Sequence, residues 1–317
     1  MKKNIFKKVN RLVIYTVFIC LFFFGFLFDS LDAMNWPSVN GVLVSNFGAN
    51  NNGQPVLGMV FAGGEEILAA ESGEIIFSRS KNDPASRLPS PLGAWTAVDH
   101  GDGLISIYSR YAEIPPQFPS EENIEVKTHI EKQQPIAFSG VSGWSVSDGF
   151  YFMIFDRRER RWINPAMIIT PAQETRPVQI LSVELRNTQG LVVPAQQAAF
   201  RNLTQGRYSV HVNAAGGISR AFPQAFTGRI GQFAPQRIVC SVNGAEVGSL
   251  NFEAVSARDG ILMVSRNGLV SAKQVYTNSP SFEAAEVFLT RGQVTLEVIV
   301  QDISGDSRSV TTRFIVN

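Results

Sequence analysis

Chemistry at a protein site needs lone pairs, transferable protons or fixed charge, and this sequence is sparing with the first two. It holds three histidines, His100, His129 and His211, and two cysteines, Cys20 and Cys240. A hydrolytic zinc centre draws most of its ligands from imidazole, with carboxylate as a supplement. Three histidines scattered over 317 residues leave little material for one. Asp99 and Asp148 could hold a hard cation, but zinc-type hydrolysis wants imidazoles beside them. Cys240 lies in a run of strand-forming residues and reads as a small buried hydrophobe rather than a reactive thiol. Fixed charge is densest in Asp156-Arg157-Arg158-Glu159-Arg160-Arg161, between an apolar run and Trp162. That placement suits a solvated hairpin tip, with attraction to an anionic surface as the alternative.

The elements that would position these groups are strands. From Asn35 onward no long segment has helical periodicity; short runs rich in Val, Ile, Phe and Tyr alternate with Gly, Asn, Asp, Ser and Pro. Gly73 to Phe77, Leu104 to Tyr108 and Phe150 to Phe155 are such runs. A polar segment with two prolines, Thr170 to Pro177, separates two strand-rich halves and is the expected domain boundary. The second half, residues 176–317, offers strands at Gln179 to Arg186, Arg207 to Asn213, Arg237 to Val242, Val294 to Asp302 and Ser309 to Val316. Their number and spacing predict an immunoglobulin-like β-sandwich, whose last two strands form a hairpin through Ile303-Ser304-Gly305-Asp306.

The first 33 residues have a different signature. Lys2, Lys3, Lys7, Lys8 and Arg11 precede an apolar run from Leu12 to Phe28. A basic head followed by an apolar middle reads as a secretory signal peptide, with a candidate cleavage point after Ala33. An uncleaved membrane anchor is the alternative, although the run is short of the roughly 20 residues a span usually takes. Cys20 lies inside the run, preceded by bulky Phe18 and Ile19, which is not the setting of a lipidation site. The net charge of +1 argues against broad capture of nucleic acid, which needs many cationic contacts. Hydrophobic residues make up 44% of the chain, enough for folded cores.

Between Asn46 and Ile169, several blocks in order resemble the LytM/lysostaphin-type family of peptidoglycan zinc endopeptidases. Ser45-Asn46-Phe47-Gly48 is similar to the family's opening Phe-Gly turn, and Glu66 through Ile76 to its "V-A-A-x-x-G-x-V" strand pair. Ala97 through Leu104 resembles its "V-x-I-x-H-G-N-G" hairpin, and Tyr108-Ser109-Arg110-Tyr111 its "Y-x-H-L". Val126 through Gly143 is similar to its glycine-punctuated stretch, and Trp162-Ile163-Asn164-Pro165 to its closing Asn-Pro. The resemblance covers residues 35–170 and implies an antiparallel LytM-like β-domain ahead of the sandwich.

It also implies where the family's chemistry should be. One zinc is held there by the His and Asp of "H-x-G-x-D" and the second His of "H-L-H", leaving an open position for an activated water. In this sequence the first motif falls on Val56-Leu57-Gly58-Met59-Val60, the second on Phe150-Tyr151-Phe152, and the remaining family histidine on Arg110. Val56, Val60, Phe150, Phe152 and Arg110 therefore occupy degenerate positions, and no metal, cofactor or catalytic residue is expected. Two readings of the altered cleft stand side by side. The apolar replacements either fill the vacated volume as core, or line a groove with Tyr108, Arg110, Tyr111, Trp144, Phe150 and Phe152, in which Arg110 grips a carboxylate.

The expected function is an exported, noncatalytic envelope module that binds peptidoglycan or an envelope protein such as a wall hydrolase, touching the membrane only through its N-terminal segment. An endopeptidase with unorthodox ligands and a purely structural or adhesive envelope protein are the alternatives.

Overall fold

The computed structural model describes residues 33–64, 66–79, 90–112, 128–145, 147–169, 177–215 and 233–317. The signal segment, Cys20 and the boundary at 170–176 lie outside them. Among the described residues no helix is long and apolar enough to cross a membrane.

In the first half the strands are β1 (Val42–Ser45), β2 (Asn50–Asn51), β3 (Gln54–Pro55), β4 (Met59–Ala62), β5 (Glu66–Leu68) and β6 (Gly73–Arg79). They continue as β7 (Ala94–Asp99), β8 (Leu104–Tyr111), β9 (Thr128–Ile130), β10 (Pro135–Phe138), β11 (Gly149–Asp156) and β12 (Arg161–Ile163). In the second half they are β13 (Gln179–Asn187), β14 (Val192–Pro194), β15 (Gly206–Ala215), β16 (Arg237–Val242) and β17 (Ala245–Arg258). The rest are β18 (Ile261–Arg266), β19 (Leu269–Ser271), β20 (Phe282–Leu289), β21 (Gly292–Gln301) and β22 (Ser307–Val316). The all-β expectation holds.

The unbroken apolar run of β11 has a positional cause. Its first six residues are buried on both faces, as befits a strand in the interior of a sheet whose two sides are both covered. One edge of β11 pairs with β8; the other is shared by β4 and β12. Strand β6, near the sheet edge, alternates buried and exposed positions at its start. One face of the β4–β11–β8–β7 sheet is closed by the two-stranded β10–β5 sheet, whose Ile67, Ile136 and Ala137 are buried. The Ala70 N–H donates to the Tyr108 hydroxyl at 2.7 Å across that interface.

In the second half, the sheet β14-β13-β15-β20 and the strands β22-β21-β16-β17 share one apolar core. Val183, Leu185, Val210 and Val212 contribute from one sheet, and Ile238, Leu250, Val298 and Val300 from the other. Cys240 is buried here on β16, and burial pushes its thiol up to about 12, so it is inert as expected. The closing hairpin forms as expected, β21 to β22, with Asp302 Oδ1 accepting from the Ser304 and Asp306 amides.

The two halves are not separate bodies on a string. Residues Asn35–Asn317 form one compact unit. The sheet runs through from one half to the other, because β12 pairs with β17 at Arg161↔Ser256, Trp162↔Val255 and Ile163↔Ala254. Phe47, from the Phe-Gly turn, belongs to the apolar core of the second half. Asn46 exchanges two hydrogen bonds with the Ala234 backbone, and the Tyr276 hydroxyl donates to the Gly48 carbonyl at 2.9 Å. The Asn46–Gly48 turn of the first half is thus held against the second half.

Candidate functional site

Directly opposed residues in an antiparallel pair project to the same face, so the register of β11 assigns each side chain of the expected site. Val60 opposes Tyr151, and Ser109 opposes Tyr151 from the other side. Phe150 opposes Phe61, while Phe152 opposes Met59 and Tyr108. The sheet therefore has two chemically distinct faces. Val60, Ser109, Tyr151 and Met153 share the face away from β10–β5, called the cleft face below.

Phe150 and Phe152 point the other way. Phe150 stacks on Phe61 with centroids 4.5 Å apart, and Phe152 meets the Tyr108 ring at 5.1 Å. Tyr108, Tyr111, Phe150 and Phe152 are each at most 2% exposed. A groove lined by these four does not form; they are core. The Tyr111 hydroxyl is satisfied internally at 2.7 Å from Thr96 Oγ1. This corrects the groove reading, and the reason is the twofold period of a strand: a one-residue offset in the motif exchanges the two faces. On the cleft face, Tyr151 and Met153 occupy the places assigned from sequence to Phe150 and Phe152.

The segment Val56–Leu57–Gly58 crosses the cleft face. The Leu57 N–H donates to the Tyr151 hydroxyl at 2.7 Å. Gly58 lies so close to the sheet that a β-carbon there would stand 2.1 Å from the Phe152 carbonyl oxygen and 2.7 Å from Met153 Cγ. Only glycine fits at this crossing without a shift. Arg110 completes the face. It is the extra residue of a bulge between β7 and β8, with φ at +65°, and its N–H donates to the Leu92 carbonyl. A bulge re-aims a side chain, and the guanidinium of Arg110 sits 4.8 Å from the centroid of the Tyr151 ring. Trp144 is 72% exposed, its backbone N–H donating to the carbonyl of Pro91.

Zinc does not fit the side chains gathered here. Val56 and Val60 offer no lone pair, and the Met153 thioether is a soft, weak donor suited to other metals. Tyr151 could ligate only as phenolate, yet burial raises its pKa to about 12, with the Leu57 hydrogen bond and Arg110 opposing the rise. Arg110 is cationic, and its own pKa is lowered by burial. The histidines lie elsewhere. His100 bridges the Ser72 carbonyl and Ser106 Oγ, and His129 faces Glu131 at the surface. His211 is buried on β15 beside Ser209. Among the described residues no group of three His, Cys, Asp or Glu side chains could hold a metal ion. The arginine-rich cluster forms the expected exposed hairpin tip between β11 and β12, tied down by an Arg157–Asp99 ion pair at 3.0 Å.

Sequence reasoning did not single out Tyr151, Met153 or Leu57. The signal that finds them is the identity of the residue opposing Val60, which no single strand contains.

A family profile matches residues 177–317. No curated protein matches the chain. Among solved structures, the chain is similar to a catalytic-domain variant of the prophage-encoded M23 protein EnpA from Enterococcus faecalis, at 19% identity over 42% of this chain and 95% of that one, TM-score 0.34. It is similar to the catalytic domain of the antimicrobial peptidase lysostaphin from Staphylococcus simulans, at 18% identity over 37% of this chain and 82% of that one, TM-score 0.30. A chain of the SpoIIQ-SpoIIIAH pore forming complex is similar at 21% identity, over 44% of this chain and 92% of that one, TM-score 0.34. M23/LytM-type peptidases thus recur among the structures this chain is similar to.

Proposed function

We propose that the protein is an exported, noncatalytic cell-envelope module, a LytM-like half that binds its target without cutting it. One observation carries this reading: the cleft face where a catalytic metal would sit presents Val60, Tyr151, Met153 and Arg110. A metal-bound water becomes a nucleophile near neutral pH only when ligands hold the metal, and these side chains do not. The basic, apolar N-terminal segment favours export. The resemblance of residues 35–170 to wall peptidases makes peptidoglycan, or an envelope protein working on it, the target class.

The test uses the full chain, purified and incubated with wall sacculi. Retention on sacculi, with neither bound zinc nor release of soluble wall fragments, is the expected result. Stoichiometric zinc together with wall cleavage that a chelator abolishes would sink the reading.

A further inference from the structure

A cavity of about 650 Å³ lies on the second half, across β13, β15 and β20, with Arg186, Arg207, Ser209, Glu283, Glu286 and Phe288 in its walls. That volume is within the range of small-ligand sites, about 300–1,000 Å³. Register brings these residues together. Arg186 opposes Ser209, Ser209 opposes Glu286, and Arg207 opposes Phe288, so their side chains share one face. It is the outer face, because the alternate residues Leu185 and Val210 point into the apolar core.

The walls carry two arginines and two glutamates, but most of these charges are already answered. Arg186 lies 2.8 Å from Glu184, Glu283 lies 2.6 Å from Arg266, and Glu286 lies 3.6 Å from the same arginine. Pairing cancels charge while leaving further N–H donors and oxygen lone pairs for other partners. It also holds Arg186 and Glu283 in place before any ligand arrives. A phosphate would meet Glu286, and an ammonium would compete with Arg266 for Glu283, so charge complementarity favours an uncharged polar ligand. Arg207 has no acidic partner among the described residues, and its planar fork of donors stays open. Opposite it, Phe288 is 56% exposed, an apolar ring in an otherwise polar cavity.

A saccharide has the matching chemistry. Each of its hydroxyls both donates and accepts, which suits neighbouring guanidinium and carboxylate groups. A pyranose ring also presents a face of C–H bonds, which packs against an exposed aromatic ring.

We propose that the outer face of β13, β15 and β20 is a saccharide-binding site, with Phe288 as the platform under a sugar ring and Arg207, Ser209 and Glu286 bonding to its hydroxyls. The site lies on the half of the chain opposite the cleft face, so it goes beyond the envelope-module reading and stands apart from the argument about zinc.

The experiment titrates the full chain by calorimetry with tri-N-acetylchitotriose, with glycyl-glycine and with inorganic phosphate. The trisaccharide is expected to bind saturably, tighter than either of the others by about ten-fold or more. Phe288→Ala should weaken it by about ten-fold or more and Arg207→Ala several-fold. Both variants should keep the parent melting temperature, because both side chains are exposed. Phe288→Tyr keeps the ring and should keep the affinity. No binding of the trisaccharide, tighter binding of the dipeptide or of phosphate, or unchanged affinity in Phe288→Ala would each overturn the proposal. Retention of the parent chain on sacculi, assayed in parallel, separates the two ideas: if it persists without trisaccharide binding, the envelope-module reading stands and the saccharide site fails.

Discussion

At the scale of single residues, facing direction outweighs residue type. Phe150 and Phe152 are apolar, and so are Val60 and Met153, but only the latter pair shares the cleft face. Reintroducing zinc ligands should therefore succeed or fail by register. The combination Val56→His, Val60→Asp and Met153→His is expected to bind zinc stoichiometrically, as read by elemental analysis of the purified variant. Phe152→His in place of Met153→His, on the same Val56→His and Val60→Asp background, should bind none. It should also destabilise the fold by about 2 to 5 kcal/mol in denaturant titration, since it places a polar ring among Tyr108 and Met59. Zinc in the Phe152→His combination would refute the register assignment. Gly58→Ala makes a companion case: with the Phe152 carbonyl 2.1 Å from the added carbon, the crossing segment must shift, at a cost of about 1 to 3 kcal/mol. An Ala variant as stable as the parent would show that the segment does not sit against β11.

At the scale of elements, the β12–β17 pairing and the anchoring of Phe47 couple two halves that look independent in sequence. Cooperative units follow shared cores rather than linker composition. Unfolding monitored by tryptophan fluorescence, which reports Trp36, Trp95, Trp144 and Trp162 of the first half, should coincide with exposure of Cys240 in the second, tracked by thiol labelling mapped to that residue. Two separated transitions would show that each half folds alone. Phe47→Ala should lower both probes together, by about 3 to 5 kcal/mol for a large buried ring. For the same reason, a fragment ending near residue 170 is expected to be poorly folded, because it leaves Phe47 and the free edge of β12 without their partners.

At the scale of the whole molecule, the one buried histidine sets an acid limit. His211 faces Glu184 and Glu283 across the β13–β15–β20 sheet, with Arg186 and Arg266 nearby. Burial first, then the two arginines, lower its pKa from 6.5 to about 4, with Glu184 opposing. The unfolded chain takes up this proton near pH 6.5 and the folded chain only near 4. The contribution to stability is therefore complete above about pH 6.5, lost as the pH falls toward 4, and on the order of a few kcal/mol in total. His211→Gln should flatten that part of the stability profile; an unchanged slope would exclude His211 as its source. Much at this scale was legible without coordinates. Composition and punctuation determined an all-β chain, and the five strands placed between Gln179 and Val316 lie close to β13, β15, β16, β21 and β22, whereas β17, β18 and β20 went unread. Those properties are local, written in side-chain chemistry and in turns a few residues long. Only the tertiary structure decided that Tyr151 rather than Phe152 shares a face with Val60 and Ser109, that a bulge turns Arg110 onto that face, and that one sheet joins both halves. Each of these depends on which strand lies beside which and in what register, a relation between segments tens of residues apart that no local pattern encodes.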